Sequence, residues 1–141
     1  ALAKKIVGAE TNAARAAAKI QDWVYRELQP NAGIGVLRDA REVLKTKEGV
    51  CRDYAILTAA LLRAAGVPAR LASGLIYDDG AFYYHAWAEA WTGRDWVGVD
   101  STRSRRGLSP LYIKTAQGNV EEAYNFPFLG NAKLKVLETG Q

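Results

Sequence analysis

Hydrophobic and polar positions change their period once along this chain. In "TNAARAAAKIQDWVYREL", residues 11–28, Ile20, Trp23, Val24 and Leu28 recur at helical spacing among alanines and long unbranched side chains, which predicts a helix. "QPNAGIG" stops it with proline and glycine. "DAREVLKTK" predicts a short helical turn that ends by Gly49. The next helix is predicted over "CRDYAILTAALLRAA", residues 51–65, with Gly66 and Pro68 as its stop. Cys51, Ala55, Thr58 and Leu62 form one stripe on it, and Tyr54, Leu57, Leu61 and Ala65 an adjacent one. So wide an apolar face predicts a central helix.

Beyond Pro68 the period becomes two. "ARLASGLIY" predicts a strand, "DDG" a hairpin turn, "AFYYHAWAEAW" the returning strand, and "DWVGVD" a third. Weaker strands are expected at about 110–115, 120–127 and 132–138. Helices first and antiparallel strands afterwards predict an α+β domain, with one sheet face packed on the helices.

Composition narrows the classes. A chain of 141 residues that is 49% hydrophobic and 24% charged suits a single domain over 1–141 with a sizeable core. No apolar run approaches the roughly 18 residues of a membrane span, and "ALAKKIVGAE" has no sustained apolar stretch of the kind a secretory signal needs. A start at Ala1 and the lack of any Met read as a mature form, or as a domain excised from a longer protein with further domains. The compartment stays open, a periplasmic or envelope site being compatible with excision. Net charge is a mild +4, and the only dense basic stretch, "TRSRRG", reads as a solvated loop rather than a nucleic-acid face. A single Cys excludes an internal disulfide. One Cys and one His are too few for a closed structural zinc site, so neither metal nor cofactor is expected.

The lone Cys is then the question. A free Cys is usually an inert space-filler, but Cys51 opens a helix, where unpaired N–H groups and the macrodipole favour a thiolate and an adjacent oxyanion. A nucleophile needs a base, and the only His, His85, lies in the strongest strand on one face with Tyr83, Trp87, Glu89 and Trp91. It reads either as a hydrogen-bonded interior residue or as that base. Asp100 ends the next strand, on a face with Trp96 and Gly98. It reads either as a turn former for "DST" or as the partner that holds the His85 ring through its Nδ1 proton.

Four segments in order, "GVCRDYA", "LLRAAGVPARLASG", "HAWAEAW" and "WVGVDST", resemble the catalytic core of the transglutaminase-like superfamily, closely over residues 40–102. The resemblance implies a papain-like fold with the Cys helix packed on an antiparallel sheet. It implies Cys51 as nucleophile, His85 as general base and acid, and Asp100 as the residue that orients it. The reaction it implies is acyl transfer from an amide through a thioester. With water as acceptor the enzyme is a peptidase or amidase acting on a peptide or isopeptide; with an amine it is a transamidase. The reading leans to hydrolysis, because the chain has no room for the extra β domains and calcium sites of long crosslinking members. The paired-cysteine zinc motif of deglycosylating members is absent as well. A non-catalytic binding or scaffold domain, or a structural module of a larger envelope protein, is the alternative.

Other positions read as support. Asp53 is expected to face away from Cys51 and pair with a backbone or arginine group. Arg70 either pairs with Glu89 across strands or faces solvent. Trp87, Trp91 and Trp96 read as core or cleft wall. The Cys51 N–H is a first oxyanion donor, and a second is sought among Trp23, Tyr25 and Asn31.

Overall fold

A computed structural model describes residues 1–125 and 133–135. Helix α1 (Leu2–Val7), which the hydrophobic pattern did not single out, precedes α2 (Ala13–Glu27). Asn12 caps α2 by accepting the Arg15 N–H at 3.0 Å. Two short segments, β1 (Gln29–Pro30) and β2 (Glu48–Gly49), pair in parallel and enclose α3 (Ala40–Thr46) between them. This bridge ties the end of α2 to the residue pair just before α4 (Cys51–Ala64). The capping box of α3 is formed by Asp39 and Glu42, each side chain accepting a backbone N–H of the other's residue at 2.9 Å.

Strands β3 (Ala69–Asp78), β4 (Ala81–Trp91), β5 (Trp96–Val99) and β6 (Tyr112–Gly118) form an antiparallel sheet in the order β5-β4-β3-β6. The β3–β4 turn places Asp79 and Gly80 at φ 44° and 82°, the two positive angles of a tight hairpin that glycine adopts without strain. Alternation assigns the two faces of the sheet. Leu71, Ala86, Ala88, Ala90 and Val99 are buried with Ile20, Val24, Leu57 and Leu62 from α2 and α4. Small alanines on β4 let α4 lie close against the strand. Tyr83, His85, Trp87 and Glu89 point to the opposite face, where Trp87 is 1% exposed.

Three expectations need correction or restriction. The strand expected at 120–127 is instead helix α5 (Val120–Ala123) in its described part, because Asn119 and Glu122 form a capping box at 2.9 and 2.8 Å. The strand expected at 110–115 runs over 112–118, carried past its expected end by a bulge opposite Ser73 and Gly74. The strand expected at 132–138 lies largely outside the described residues, and 133–135 have no regular structure.

Candidate active site

Cys51 is the first residue of α4 and is partly buried. Its backbone N–H has no acceptor among the described residues, so it is an open donor beside the sulfur. Asp53 does not compete for that position. Its carboxylate accepts the Val50 N–H at 2.9 Å and is held by Arg38, with Nε at 3.3 Å and Nη2 at 3.2 Å. Arg38 in turn donates to the Glu48 carbonyl at 2.6 Å and to Thr46 Oγ1 at 3.0 Å. Gly49 belongs to this arrangement, because a Cβ there would collide with the Asp53 side chain.

His85 and Asp100 meet. Continuing the β4–β5 register places Asp100 opposite Trp87, one same-face step from His85. His85 Nε2 lies 2.8 Å from Asp100 Oδ2. The sequence reading assigned this contact to Nδ1; the ring instead presents Nε2 to the carboxylate, and Cys51 is among the groups whose hydrogen bond and charge act on His85. Asp100 is 2% exposed and accepts three further hydrogen bonds. These come from the Thr102 N–H at 3.1 Å, Thr102 Oγ1 at 2.6 Å and the Tyr112 hydroxyl at 2.5 Å.

Burial alone would push His85 down, since it penalises the imidazolium. The hydrogen bonds and charges of Asp100 and Cys51 outweigh it and hold His85 up, at about 9 against an ordinary 6.5. For Asp100, burial alone would raise the carboxyl. The hydrogen bond and charge of His85, followed by the Thr102 and Tyr112 donors, hold it below the ordinary carboxylate range. An imidazolium between a carboxylate and a sulfur can carry a proton toward one side only, because the other side is committed. Burial, with its hydrogen bond to Asp100 next in importance, keeps the Tyr112 phenol protonated well beyond the usual range.

The segment that carries Asp100 is fixed from α2. Buried Gln21 donates through Nε2 to the carbonyls of Asp100 and Arg103, each at 3.0 Å, and of Arg105 at 2.8 Å. Ser101 meets Thr58 of α4 at 2.7 Å. Arg106 donates to the Ala18 carbonyl and pairs with Asp22. The basic stretch is thus exposed at the surface but pinned, through the Arg103 and Arg105 carbonyls and through the Arg106 guanidinium.

The model of the transglutaminase-like superfamily matches residues 1–101. The chain belongs to this superfamily. An uncharacterised protein of Mycobacterium tuberculosis is 38% identical over 111 residues, which cover 69% of this chain and 34% of that relative. The chain therefore spans about a third of the length of the mycobacterial relatives it matches. A protein-glutamine gamma-glutamyltransferase of Pseudomonas aeruginosa is 39% identical over 70 residues, covering 40% of this chain and 10% of its own. Among solved structures, one provisionally assigned as a cysteine protease of Cytophaga hutchinsonii aligns with a TM-score of 0.73 and 31% identity. That alignment covers 83% of this chain and 40% of the Cytophaga one.

Within this transglutaminase-like domain, the remaining sequence candidates fall apart by position. Arg70 does pair with Glu89, Nε to Oε1 at 2.7 Å, and its guanidinium lies 4.1 Å from the Trp96 ring centroid. Lys114 joins the same carboxylate at 3.0 Å. Trp87 is core, stacked toward His85 at 6.3 Å, whereas Trp96 is 36% exposed. Of the three oxyanion candidates, Trp23 packs against the helix-side core and Tyr25 is exposed on α2. Asn31 sits next to the start of α4, its N–H donating to the Gly49 carbonyl at 2.9 Å. Sequence reasoning missed Tyr112, Thr102 and Gln21. The "DST" wording held a signal for Thr102, but Tyr112 and Gln21 reach Asp100 from distant elements and leave no local pattern. Among the described residues no group of three or more His, Cys, Asp or Glu is placed to hold a metal, and no helix is long and apolar enough to cross a membrane.

Proposed function

We propose that this domain transfers acyl groups from amides through Cys51, with His85 carrying the proton and Asp100 orienting and charging His85. The observation that carries the reading is the 2.8 Å contact between His85 Nε2 and Asp100 Oδ2, which leaves Nδ1 for the sulfur. The Cys51 thiolate attacks the carbonyl carbon, and the C=O electron pair moves onto oxygen beside the Cys51 N–H. Collapse of that intermediate breaks the C–N bond, and the His85 Nδ1 proton passes to the leaving amine. Neutral His85 then takes a proton from water as the hydroxide oxygen attacks the thioester. The acid leaves and Cys51 returns to thiolate.

Hydrolysis of a peptide or isopeptide is the favoured outcome, supported by the likeness to the Cytophaga structure at a TM-score of 0.73. Transamidation is the second reading, supported by the 39% identity to the Pseudomonas glutamyltransferase. In that case an amine replaces water in the second half, and the same three residues serve.

The test is acylation of the full chain by 4-nitrophenyl acetate. A burst of nitrophenolate with an acetyl adduct on Cys51 is expected. Cys51→Ala should give no adduct, and His85→Ala should slow acylation by about 100-fold. Equal rates in wild type and His85→Ala would return the domain to the non-catalytic reading. Glutamine-containing peptides incubated with and without a primary amine then separate the outcomes: free acid alone marks a hydrolase, amine-linked product a transamidase.

A further inference from the structure

Asp100 accepts more hydrogen bonds than the holding of one imidazole requires. Oδ1 takes both Thr102 donors, N–H at 3.1 Å and Oγ1 at 2.6 Å, and this fixes the carboxylate plane from its own loop. Oδ2 takes two donors as well, His85 Nε2 at 2.8 Å and the Tyr112 hydroxyl at 2.5 Å. Tyr112 arrives from β6, separated from β4 by β3. Its ring also stands edge-on to His85 at 6.0 Å and to Trp87 at 5.4 Å. Because Thr102 already sets the plane, a second donor on Oδ2 changes charge rather than orientation. A hydroxyl proton on the oxygen that faces the imidazole draws part of the carboxylate charge to itself.

We propose that Tyr112 is a positioning residue that divides the Oδ2 charge of Asp100 with His85 and so sets how firmly His85 keeps its proton. Its consequence for turnover rests on the proposed role of His85; the effect on His85 itself does not. The charged and titratable groups facing the pair are Cys51 from α4, Tyr112 from β6 and Arg103, whose Nε lies 3.5 Å from Oδ2. The Gln21 side chain from α2 is neutral. Arg103 and Cys51 are common to wild type and variant, so Tyr112→Phe removes the hydroxyl alone and keeps the ring. The undivided carboxylate then favours the imidazolium, and His85 becomes a weaker acid toward a leaving amine.

His85 is the only histidine, so its ring gives the only histidine resonances in the isotopically labelled full chain. NMR titration of that ring is the experiment. Tyr112→Phe is expected to raise the His85 midpoint by about half to one pH unit, roughly three- to tenfold in proton affinity. Replacement of Tyr112 by 3-fluorotyrosine, a stronger donor of nearly the same shape, should lower the midpoint and serves if the Phe variant does not fold. A midpoint unmoved or lowered in Tyr112→Phe, or unmoved or raised with fluorotyrosine, overturns the proposal. If Cys51 acylation proves independent of His85, the functional reading fails while this titration still decides the role of Tyr112.

Discussion

At His85 burial and charge pull in opposite directions, and charge wins. A group held above its unfolded value stabilises the fold fully below the unfolded value and loses that contribution as pH rises through the folded one. For His85 this places the loss between 6.5 and about 9. Asp100 has the opposite sign: its contribution is present above the ordinary 3.8 and is lost as pH falls through its lower folded value. Urea unfolding of the wild type should therefore show stability falling across the alkaline window. His85→Ala should flatten that fall, and an unchanged pH dependence in the variant would contradict the electrostatic account. Period two gave each of His85 and Asp100 a face of its own strand, and the pairing of β4 with β5 is what makes that face a common one. Which ring nitrogen meets Asp100 was not legible in the sequence, because strand alternation assigns a side chain to a face and leaves the rotation of its ring open.

Among the elements, α4 and the β3–β4 hairpin were the most readable, one from its wide apolar face and glycine stop, the other from alternation around "DDG". Helix α5 was misread although its capping box stands in the sequence as Asn119 and Glu122: the apolar and aromatic residues nearby outweighed a short cap. The start of α4 depends on a partly buried ion pair, Asp53 being 2% and Arg38 11% exposed. Asp53→Ala leaves the Arg38 guanidinium without its carboxylate and the Val50 N–H without its acceptor. It should cost about 3 kcal/mol of unfolding free energy. Gly49→Ala drives a Cβ into Asp53 and should cost less, about 1–3 kcal/mol. Chemical denaturation measures both, and a change within about 0.5 kcal/mol for Asp53→Ala would show that α4 does not need this anchor.

The whole molecule assembles the site from three directions: α4 brings Cys51, the sheet brings His85 and Tyr112, and α2 holds the Asp100 segment through Gln21. Local wording pointed to Cys51 through "GVCRDYA" and to His85 through "HAWAEAW", but not to Tyr112. It was silent on Gln21, whose partners lie about 80 residues away and are backbone carbonyls that any sequence would offer. Gln21→Leu should keep the buried volume but strand those carbonyls, slowing acylation of Cys51 more than tenfold while α4 and the hairpin persist by circular dichroism.

The central claim, that His85 makes Cys51 a nucleophile, is tested most directly by the rate of Cys51 alkylation with iodoacetamide across pH. At about pH 6 the wild type should react roughly tenfold or more faster than His85→Ala. A wild-type rate that His85→Ala leaves unchanged would contradict it.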